Sequence, residues 1–373
     1  MDSLAKIVTN IALYPLSKVY GFATTLRNIM FDAEVLKQTK FDIPVVVVGN
    51  LSLGGTGKTP HVEYIIESLK NTYNIGVISR GYKRKSKGYI LADNSSTVKT
   101  IGDEPFQIYR KYGRDVKVAV SESRVKGIQS LRKAFPELNL ILLDDAFQHR
   151  YVDAAVSILL MDYNNPIYND HLFPLGRLRE TKRGIYRADI VVTTKCPMNL
   201  KSFDYRNVKC DLNLSPSQDL FYSRYKYGNL ISVFPEYSVY IPSLDLLSDY
   251  DAILAVSGIA NPKPFNNYLR NFTKRVRTIK FADHKDFTEA DISKIISKYK
   301  SLKGYRRIIV TTEKDAVRLV NCKSLSNEIK ANIFYLPIKV DFVTDSTVSF
   351  IDILKYRINE FKRTSAIIKS KYK

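Results

Sequence analysis

The sequence has only three cysteines, Cys196, Cys210 and Cys322, set far apart with no C-x-x-C spacing. That excludes a disulfide framework and a zinc site built on paired thiolates, and makes a reducing cytosol the simplest compartment. Long apolar runs are missing too: none approaches the roughly 20 residues that a bilayer-spanning helix needs. No secretory pattern is visible, because Asp2 falls in the would-be basic region and Asn10 and Lys18 interrupt the apolar stretch. There is no internal repeat and no low-complexity segment. Acids are scarce, with 37 Asp and Glu against 58 Lys and Arg, a formal charge of +21. Such an excess suits nucleic acid, an anionic membrane surface or a phosphorylated substrate equally, so charge alone does not choose.

What is present is a chain of 373 residues, 45% of them hydrophobic, long enough for two domains and an ample core. Its organising stretch is Pro44 to Leu69. Four valines after Pro44 read as a buried parallel strand, and the apolar spacing from Val62 to Leu69 is helical. Between them lies Ser52-Leu53-Gly54-Gly55-Thr56-Gly57-Lys58-Thr59. A strand, a Gly-rich turn and a helix N-terminus make an anion cradle in which backbone N–H groups converge on phosphates. Lys58 is placed to reach the β- and γ-phosphates and Thr59 to ligate Mg²⁺. Ser52 stands where the strict G-x-x-x-x-G-K-S/T pattern has its first glycine. Pro60 is compatible with a first helical turn, whose N–H groups have no intrahelical partner.

Further short strands are expected over Ile75–Ser79, Lys117–Val120, Leu138–Leu143, Val156–Met161 and Ile190–Thr194. The third ends in Asp144-Asp145, and an apolar strand ending in an acid is what holds Mg²⁺ opposite the phosphate-loop hydroxyl. Arg80 opens a run with five basic residues in nine, either a phosphate-holding loop or a solvated face. Gly102-Asp103-Glu104-Pro105 reads as a loop entering a helix, where the acids either cap it or do chemistry. Gln148 and His149 are polar enough to line a cleft. Arg177 and Arg179 flank a leucine before Glu180; their donors suit phosphoryl oxygens, or form a surface ion pair with that glutamate. At the end of the Ile190–Thr194 strand, Pro197 stands where guanine-specific P-loop proteins carry an aspartate, which tilts the nucleotide toward ATP.

The expected fold is α/β: a P-loop NTPase-like parallel sheet flanked by helices, with a second, smaller α/β domain joined through a β-hairpin. Its boundaries are a helical segment over 1–35, a P-loop domain over 36–215, a hairpin linker around Gly228-Asn229 over 216–236, and a smaller domain over 237–373. In the first segment, Leu4, Ile7, Ile11, Val19, Leu26 and Ile29 recur at helical steps, with Pro15 expected to break or kink the helix. That stripe either packs on the core or lies in a membrane interface. The basic tail 362–373 is expected to fray.

Read together, the Gly54–Pro60 loop, Ser79-Arg80-Gly81-Tyr82, Gly102–Pro105, Asp144–Arg150, Gly176–Glu180, Ser257–Pro262, Asp283-His284 and Thr311–Asp315 come in the order found in the tetraacyldisaccharide 4′-kinases of lipid A biosynthesis. The chain resembles that family over nearly its whole length. The resemblance implies transfer of the ATP γ-phosphate to the 4′-hydroxyl of a tetraacylated glucosamine disaccharide 1-phosphate, giving lipid IVA, at the cytoplasmic face of a bacterial inner membrane. It implies ATP and Mg²⁺ as cofactors, a lipid substrate and an anionic membrane surface as partners, and neither nucleic acid nor an obligate protein partner. It also places Asp103 beside the reacting phosphate as the proton acceptor, with His284 as its partner and Lys58 as the third catalytic residue. Metal ligation falls to Thr59, Asp144 and Asp145, and substrate contact to Arg80, Gln148, His149, Arg177, Arg179 and Glu180. Two positions depart from the family pattern: Ala146 replaces a common glycine, and Lys285 follows His284 where a second histidine is frequent. A nucleic-acid-binding ATPase is the first competing reading, although no groove-reading module is recognised. A membrane-positioning ATPase switch is the second; such proteins usually carry a lysine where this chain has Leu53, and would turn over ATP without a lipid acceptor.

Overall fold

The computed structural model describes residues 2–371 apart from 239, 284, 286, 321, 323 and 344–347, with side chains from 13 to 367. The chain forms two compact units. The first comprises 1–96, 108–225 and 340–373, and the second comprises 97–107 and 226–339.

In chain order the elements are α1 (Asp2–Asp32), β1 (Val45–Gly49), α2 (Lys58–Leu69), β2 (Ile75–Ser79) and β3 (Ile90–Leu91). Then come α3 (Val98–Ile101), α4 (Asp103–Tyr112), β4 (Lys117–Val120), α5 (Arg124–Ala134), β5 (Leu140–Asp144) and β6 (Val156–Asp162). They continue with β7 (Ile190–Thr194), α6 (Ser202–Leu212), β8 (Asp219–Tyr227), β9 (Ile231–Ser232), β10 (Ala252–Ser257) and α7 (Lys263–Leu269). The chain closes with β11 (Arg275–Lys280), α8 (Glu289–Lys300), β12 (Arg307–Thr312), α9 (Glu313–Leu319), α10 (Asn327–Ala331), β13 (Ile333–Leu336), β14 (Ile338–Val343) and α11 (Phe350–Lys371).

The first unit is built on a sheet in the order β14-β8-β7-β6-β1-β5-β2-β4-β3, in which β1 pairs in parallel with both β5 and β6. Its alternation explains its burial. Val45 and Val47 join Ile141 and Leu143 in one apolar cluster, while Val46 and Val48 join Leu140 and Leu142 in another. A strand covered on both faces can be apolar at every position, which is what the valine run provides. The register sets Val48 opposite Asp144, so the acidic end of β5 lies beside the strand that feeds the phosphate loop.

The second unit has its own sheet, in the order β11-β10-β12-β13-β9, with only β9 antiparallel. Leu254 and Val256 face one cluster and Ile253 and Ala255 the other. Side-chain caps start its helices: Thr288 begins α8, Thr312 begins α9 and Ser326 begins α10, each accepting an N–H that the first turn leaves unpaired.

Several expectations about organisation differ from what forms. The runs around Gly228-Asn229 make no hairpin, because β8 pairs in parallel with β7 and β9 pairs with β13 in the other sheet. The second unit also takes residues 97–107, and its chain returns to the first unit at Val340, so neither unit is continuous. Pro15 does not end its helix: α1 runs through it to Asp32. The basic tail, far from fraying at 362, continues α11 to Lys371.

Candidate active site

The site is built on the turn between β1 and α2. Gly54 and Gly57 have φ of 112° and 91°, the left-handed region that glycine enters without a steric cost. At Gly57 the neighbourhood forbids anything larger, since a Cβ would lie 1.9 Å from the Tyr225 hydroxyl. Ser52 forms an antiparallel bridge with Leu178, and the Leu53 N–H donates to the Arg177 carbonyl at 2.6 Å.

Three successive carbonyls of the loop are gripped by side chains. Lys195 Nζ donates to Gly55 O, Thr194 Oγ1 donates to Thr56 O at 2.8 Å, and His61 Nδ1 donates to Gly57 O at 2.7 Å. Asn50 Nδ2 donates to Thr56 Oγ1 at 2.8 Å. Because its Nδ1 faces a carbonyl, His61 carries its proton there and accepts from Ser223 Oγ on Nε2, at 2.9 Å. Burial pushes this ring down to about 4, so it stays neutral. α2 then starts with no side-chain cap and no acid in its first turn, leaving its N–H groups and dipole for an anion. Thr59 is buried in that turn.

Lys58 Nζ lies 3.6 Å from Asp145 Oδ1. Asp145 sits just past β5 at φ 47°, and Arg179 grips it through Nη1 at 2.9 Å and Nη2 at 3.4 Å. Burial works against its charged form, but Lys58, Arg179 and Arg124 outweigh it and hold the carboxyl below its ordinary value. Asp144, the last residue of β5, is fully buried.

Behind these residues Glu180 is a hub. It accepts from both Nη atoms of Arg187 at 2.8 Å, from Asn28 Nδ2 at 2.8 Å and from Gln148 Nε2 at 3.0 Å. Burial raises its pKa, yet these partners prevail and the carboxyl is lowered. Gln148 Nε2 also donates to Asn50 O at 2.7 Å, joining the hub to the residue that steadies Thr56. Glu180 is 3% exposed and held by four hydrogen bonds from three residues. Arg177 pairs with Asp170 at 3.0 Å and Arg179 with Asp145, so neither arginine of the Gly176–Glu180 segment forms the alternative ion pair with Glu180.

Arg124, at the start of α5, is 2% exposed, and burial lowers its pKa to about 10 against the pull of Asp144 and Asp145. His149 Nε2 accepts from the Arg124 N–H at 3.3 Å; burial first, then Arg124, Arg27 and Arg80, push its ring down to about 4. Arg80 is exposed at the end of β2. Lys58, Arg124 and Arg179 thus face the Asp144-Asp145 pair with cations, and Arg80 adds charge near Arg124 and His149, an arrangement suited to a polyphosphate that arrives with a divalent ion.

In the second unit Asp103 is the first residue of α4, where its carboxylate is gripped by Arg318 of α9. Its expected partner His284 lies outside the described residues. Lys285 donates to Asp291 at 2.7 Å, supporting the cap of α8.

The family model for Tetraacyldisaccharide-1-P 4′-kinase matches residues 9–358 of this chain. The chain belongs to that kinase family. It is 46% identical over 345 residues to the tetraacyldisaccharide 4′-kinase of Bacteroides thetaiotaomicron, covering 91% of this chain and 90% of that one. To the tetraacyldisaccharide 4′-kinase of Flavobacterium johnsoniae it is 43% identical over 356 residues, covering 95% and 98%. Its fold matches the crystal structure of LpxK from Aquifex aeolicus in complex with ATP, with a TM-score of 0.71, 28% identity, and coverage of 94% and 99%. The protein is an ATP-dependent lipid kinase that phosphorylates the 4′-hydroxyl of the tetraacylated disaccharide in lipid A biosynthesis.

For a kinase of this family the sequence signals stop at the motif residues. Arg124, His61, Asn50, Thr194 and Arg187 shape or support the phosphate-loop site and belong to none of its recognised acidic or basic motifs, and the same is true of Arg318, which grips Asp103 in the second unit. Arg124 is the first residue of α5, directly after the Ser123 cap, and no sequence pattern marks it. Lys195 did stand in a motif position, beside the missing guanine-specific aspartate, and the signal was there to be read as loop support.

Proposed function

We propose that Lys58 and the N–H groups of residues 54–59 hold the β- and γ-phosphates of ATP, and that Asp103 accepts the proton of the sugar 4′-hydroxyl. The hydroxyl oxygen forms a bond to the γ-phosphorus as the bond to the ADP oxygen breaks, and the proton goes to the Asp103 carboxylate, with His284 as its partner. Arg80, Arg124 and Arg179 balance the charge on the transferring group; Gln148 accepts from Arg179, His149 accepts from the Arg124 N–H, and Glu180 holds Gln148. The observation that carries this reading is the phosphate loop itself, with its carbonyls gripped and the uncapped N-terminus of α2 left for an anion.

The donors for Mg²⁺ are the Thr59 hydroxyl with the Asp144 and Asp145 carboxylates. All are hard oxygens, and Asp145 is held ionised, which fits a small hard cation. Among the described residues no group of three His, Cys, Asp or Glu could hold a metal ion; Mg²⁺ usually keeps several waters and binds through one or two carboxylates and substrate phosphates. When bound, it would supply positive charge that offsets the charge developing on the transferring phosphoryl group.

The kinase works on the membrane surface, at its cytoplasmic face, and α1 supports this. Among the described residues no helix is long and apolar enough to cross a membrane. One face of α1 is fastened to the first unit by Ser17, Tyr20, Arg27 and Asn28. The opposite face leaves Val19, Phe22, Leu26 and Ile29 exposed, between 46% and 71% each, at three- and four-residue steps, with Lys18 exposed beside them. An apolar stripe edged by a cation suits a helix lying in the interface.

The test incubates the protein with γ-labelled ATP, Mg²⁺ and a lipid extract containing the tetraacylated disaccharide. Label in the 4′-phosphorylated lipid is expected; steady ATP turnover without acceptor would instead favour the switch. For the membrane, replacing Val19, Phe22, Leu26 and Ile29 with serine should abolish flotation with anionic vesicles while the melting temperature is kept. A variant that floats like the wild type would remove α1 as the anchor.

A further inference from the structure

Two motifs of the second unit, Ser257–Pro262 and Thr311–Asp315, have no part in the chemistry above, and both converge on Asp315. Its Oδ2 accepts from the Gly258 N–H at 2.8 Å and from Thr312 Oγ1 at 2.6 Å, while its own N–H donates back to Thr312 Oγ1 at 3.2 Å. Gly258 has to be glycine for this approach, since a Cβ there would lie 2.9 Å from Asp315 Oδ1 and 3.1 Å from the Ala282 carbonyl. The other oxygen of Asp315 faces Arg318 Nη1 at 3.6 Å, one turn further along α9.

Arg318 is 6% exposed, so its guanidinium has given up most of its water. It spends its fork on Asp103: Nε donates to Oδ1 at 3.3 Å and Nη2 donates to Oδ2. Two parallel donors on the two oxygens of one carboxylate fix its rotation as well as its position, which a lysine cannot do. A buried arginine is costly without charged partners, and here it has one on each side, one anchored by two motifs and the other at the first residue of α4.

We propose that Arg318 is the positioning residue for Asp103, and that the Gly258 and Thr312–Asp315 motifs exist to hold Arg318. The inference rests on the reading of Asp103 as proton acceptor. The guanidinium holds the carboxylate turned one way; each oxygen has a second lone pair, and one of these receives the hydroxyl proton. Asp315 steers the arginine from behind, so the orientation of the base is set by a strand end more than 200 residues away in sequence, Asp103 and Arg318 being separated by 215.

The experiment is a double-mutant cycle on the full chain, with kcat for the lipid acceptor, KM for ATP and thermal melting measured for R318A, R318K, D103N and R318A/D103N. R318A is expected to lower kcat by about 10²-fold with KM for ATP changed less than about twofold, and added guanidinium ion should restore part of the rate. In the D103N background the same change should cost less than about twofold and guanidinium should do nothing, because Arg318 acts through the carboxylate. Equal losses in both backgrounds would overturn the proposal by showing that Arg318 acts independently of Asp103. If R318A does not fold, R318K decides: it keeps the charge but cannot hold both oxygens, and wild-type turnover by R318K would overturn the proposal. The reading beneath it fails separately, through a D103N variant that keeps wild-type kcat.

Discussion

β5 and β12 each lead into acids at the carboxyl edge of a parallel sheet, Asp145 just past β5 and Asp315 in the first turn of α9, yet the two have opposite characters. At the end of β5, Asp145 keeps a side chain 30% exposed, is ringed by Lys58, Arg179 and Arg124, and is held ionised. At the end of β12, Asp315 is fully buried, and burial raises its pKa in spite of the Gly258 N–H, Thr312 and Arg318. A carboxylate with solvent on one side and three cations on the other is equipped to meet a charged ligand. One sealed among a backbone N–H, a hydroxyl and a buried arginine is equipped to fix its neighbours. Motif conspicuousness therefore does not separate Asp145 from Asp315, whereas exposure and the number of facing cations do.

The comparison is broken most directly at Lys58. Lys58→Ala should lower kcat/KM by about 10³-fold or more with melting unchanged, since phosphoryl transfer is mostly positioning and charge stabilisation. Near-normal turnover would mean that β5 does not end at a phosphate site at all. Next, Asp145→Asn should lower kcat by about 10²-fold and leave stability within about 1 kcal/mol. Asp315→Ala should instead destabilise by about 2–4 kcal/mol, because it strands the buried Gly258 N–H, the Thr312 hydroxyl and Arg318 without their acceptor. If denaturant melts and turnover show the reverse pairing, the contrast between the two strand ends is wrong.

A third test sharpens how each region is fastened. The phosphate loop is held at Gly57 by a neutral ring, His61, whose pKa is about 4 in the folded protein against about 6.5 in an unfolded chain. Above about pH 6.5 neither state binds the proton and the contribution is complete. Between about 6.5 and 4 only the unfolded chain binds it, so stability falls as pH falls, by on the order of 2 kcal/mol at about pH 5. Melting of the wild type and of His61→Asn, compared at about pH 7.5 and about pH 5, should show the steeper loss in the wild type; equal slopes would deny the neutral ring. The smallest effect is at Arg177, whose partly exposed pair with Asp170 should be worth less than about 1 kcal/mol. Arg177→Ala should retain kcat within about threefold, and a large loss would return this arginine to the site.

Where the sequence was legible, several requirements met in adjacent residues. A glycine turn, a lysine and a threonine between a valine run and a helical spacing could be read together, and β2, β4 and β7 follow their β-branched and apolar runs to the residue. What could not be read is what the fold joins across distance. His61 and Ser223 are 162 residues apart, and Asn28 and Glu180 are 152 apart. Strand pairing failed for the same reason: Gly228-Asn229 carries a genuine turn signal, but β8 gains more from the buried edge of β7 than from its neighbour in sequence. Pro15 was overread, because α1 is held by tertiary contacts at Ser17 and Tyr20 just beyond it, and packing of that kind overrides local propensity.

The attachment of α1 has a pharmacological side. Tyr20 donates to the Arg179 carbonyl, Arg27 to the Gln148 carbonyl and Asn28 to Glu180, so the seam beneath this helix lies behind the residues that grip Asp145. A compound wedged into that seam would disarm Arg179 without occupying the nucleotide cradle. Its inhibition should be noncompetitive with ATP in steady-state kinetics, and escape mutants should map to α1 and to residues 171–180 instead of the phosphate loop.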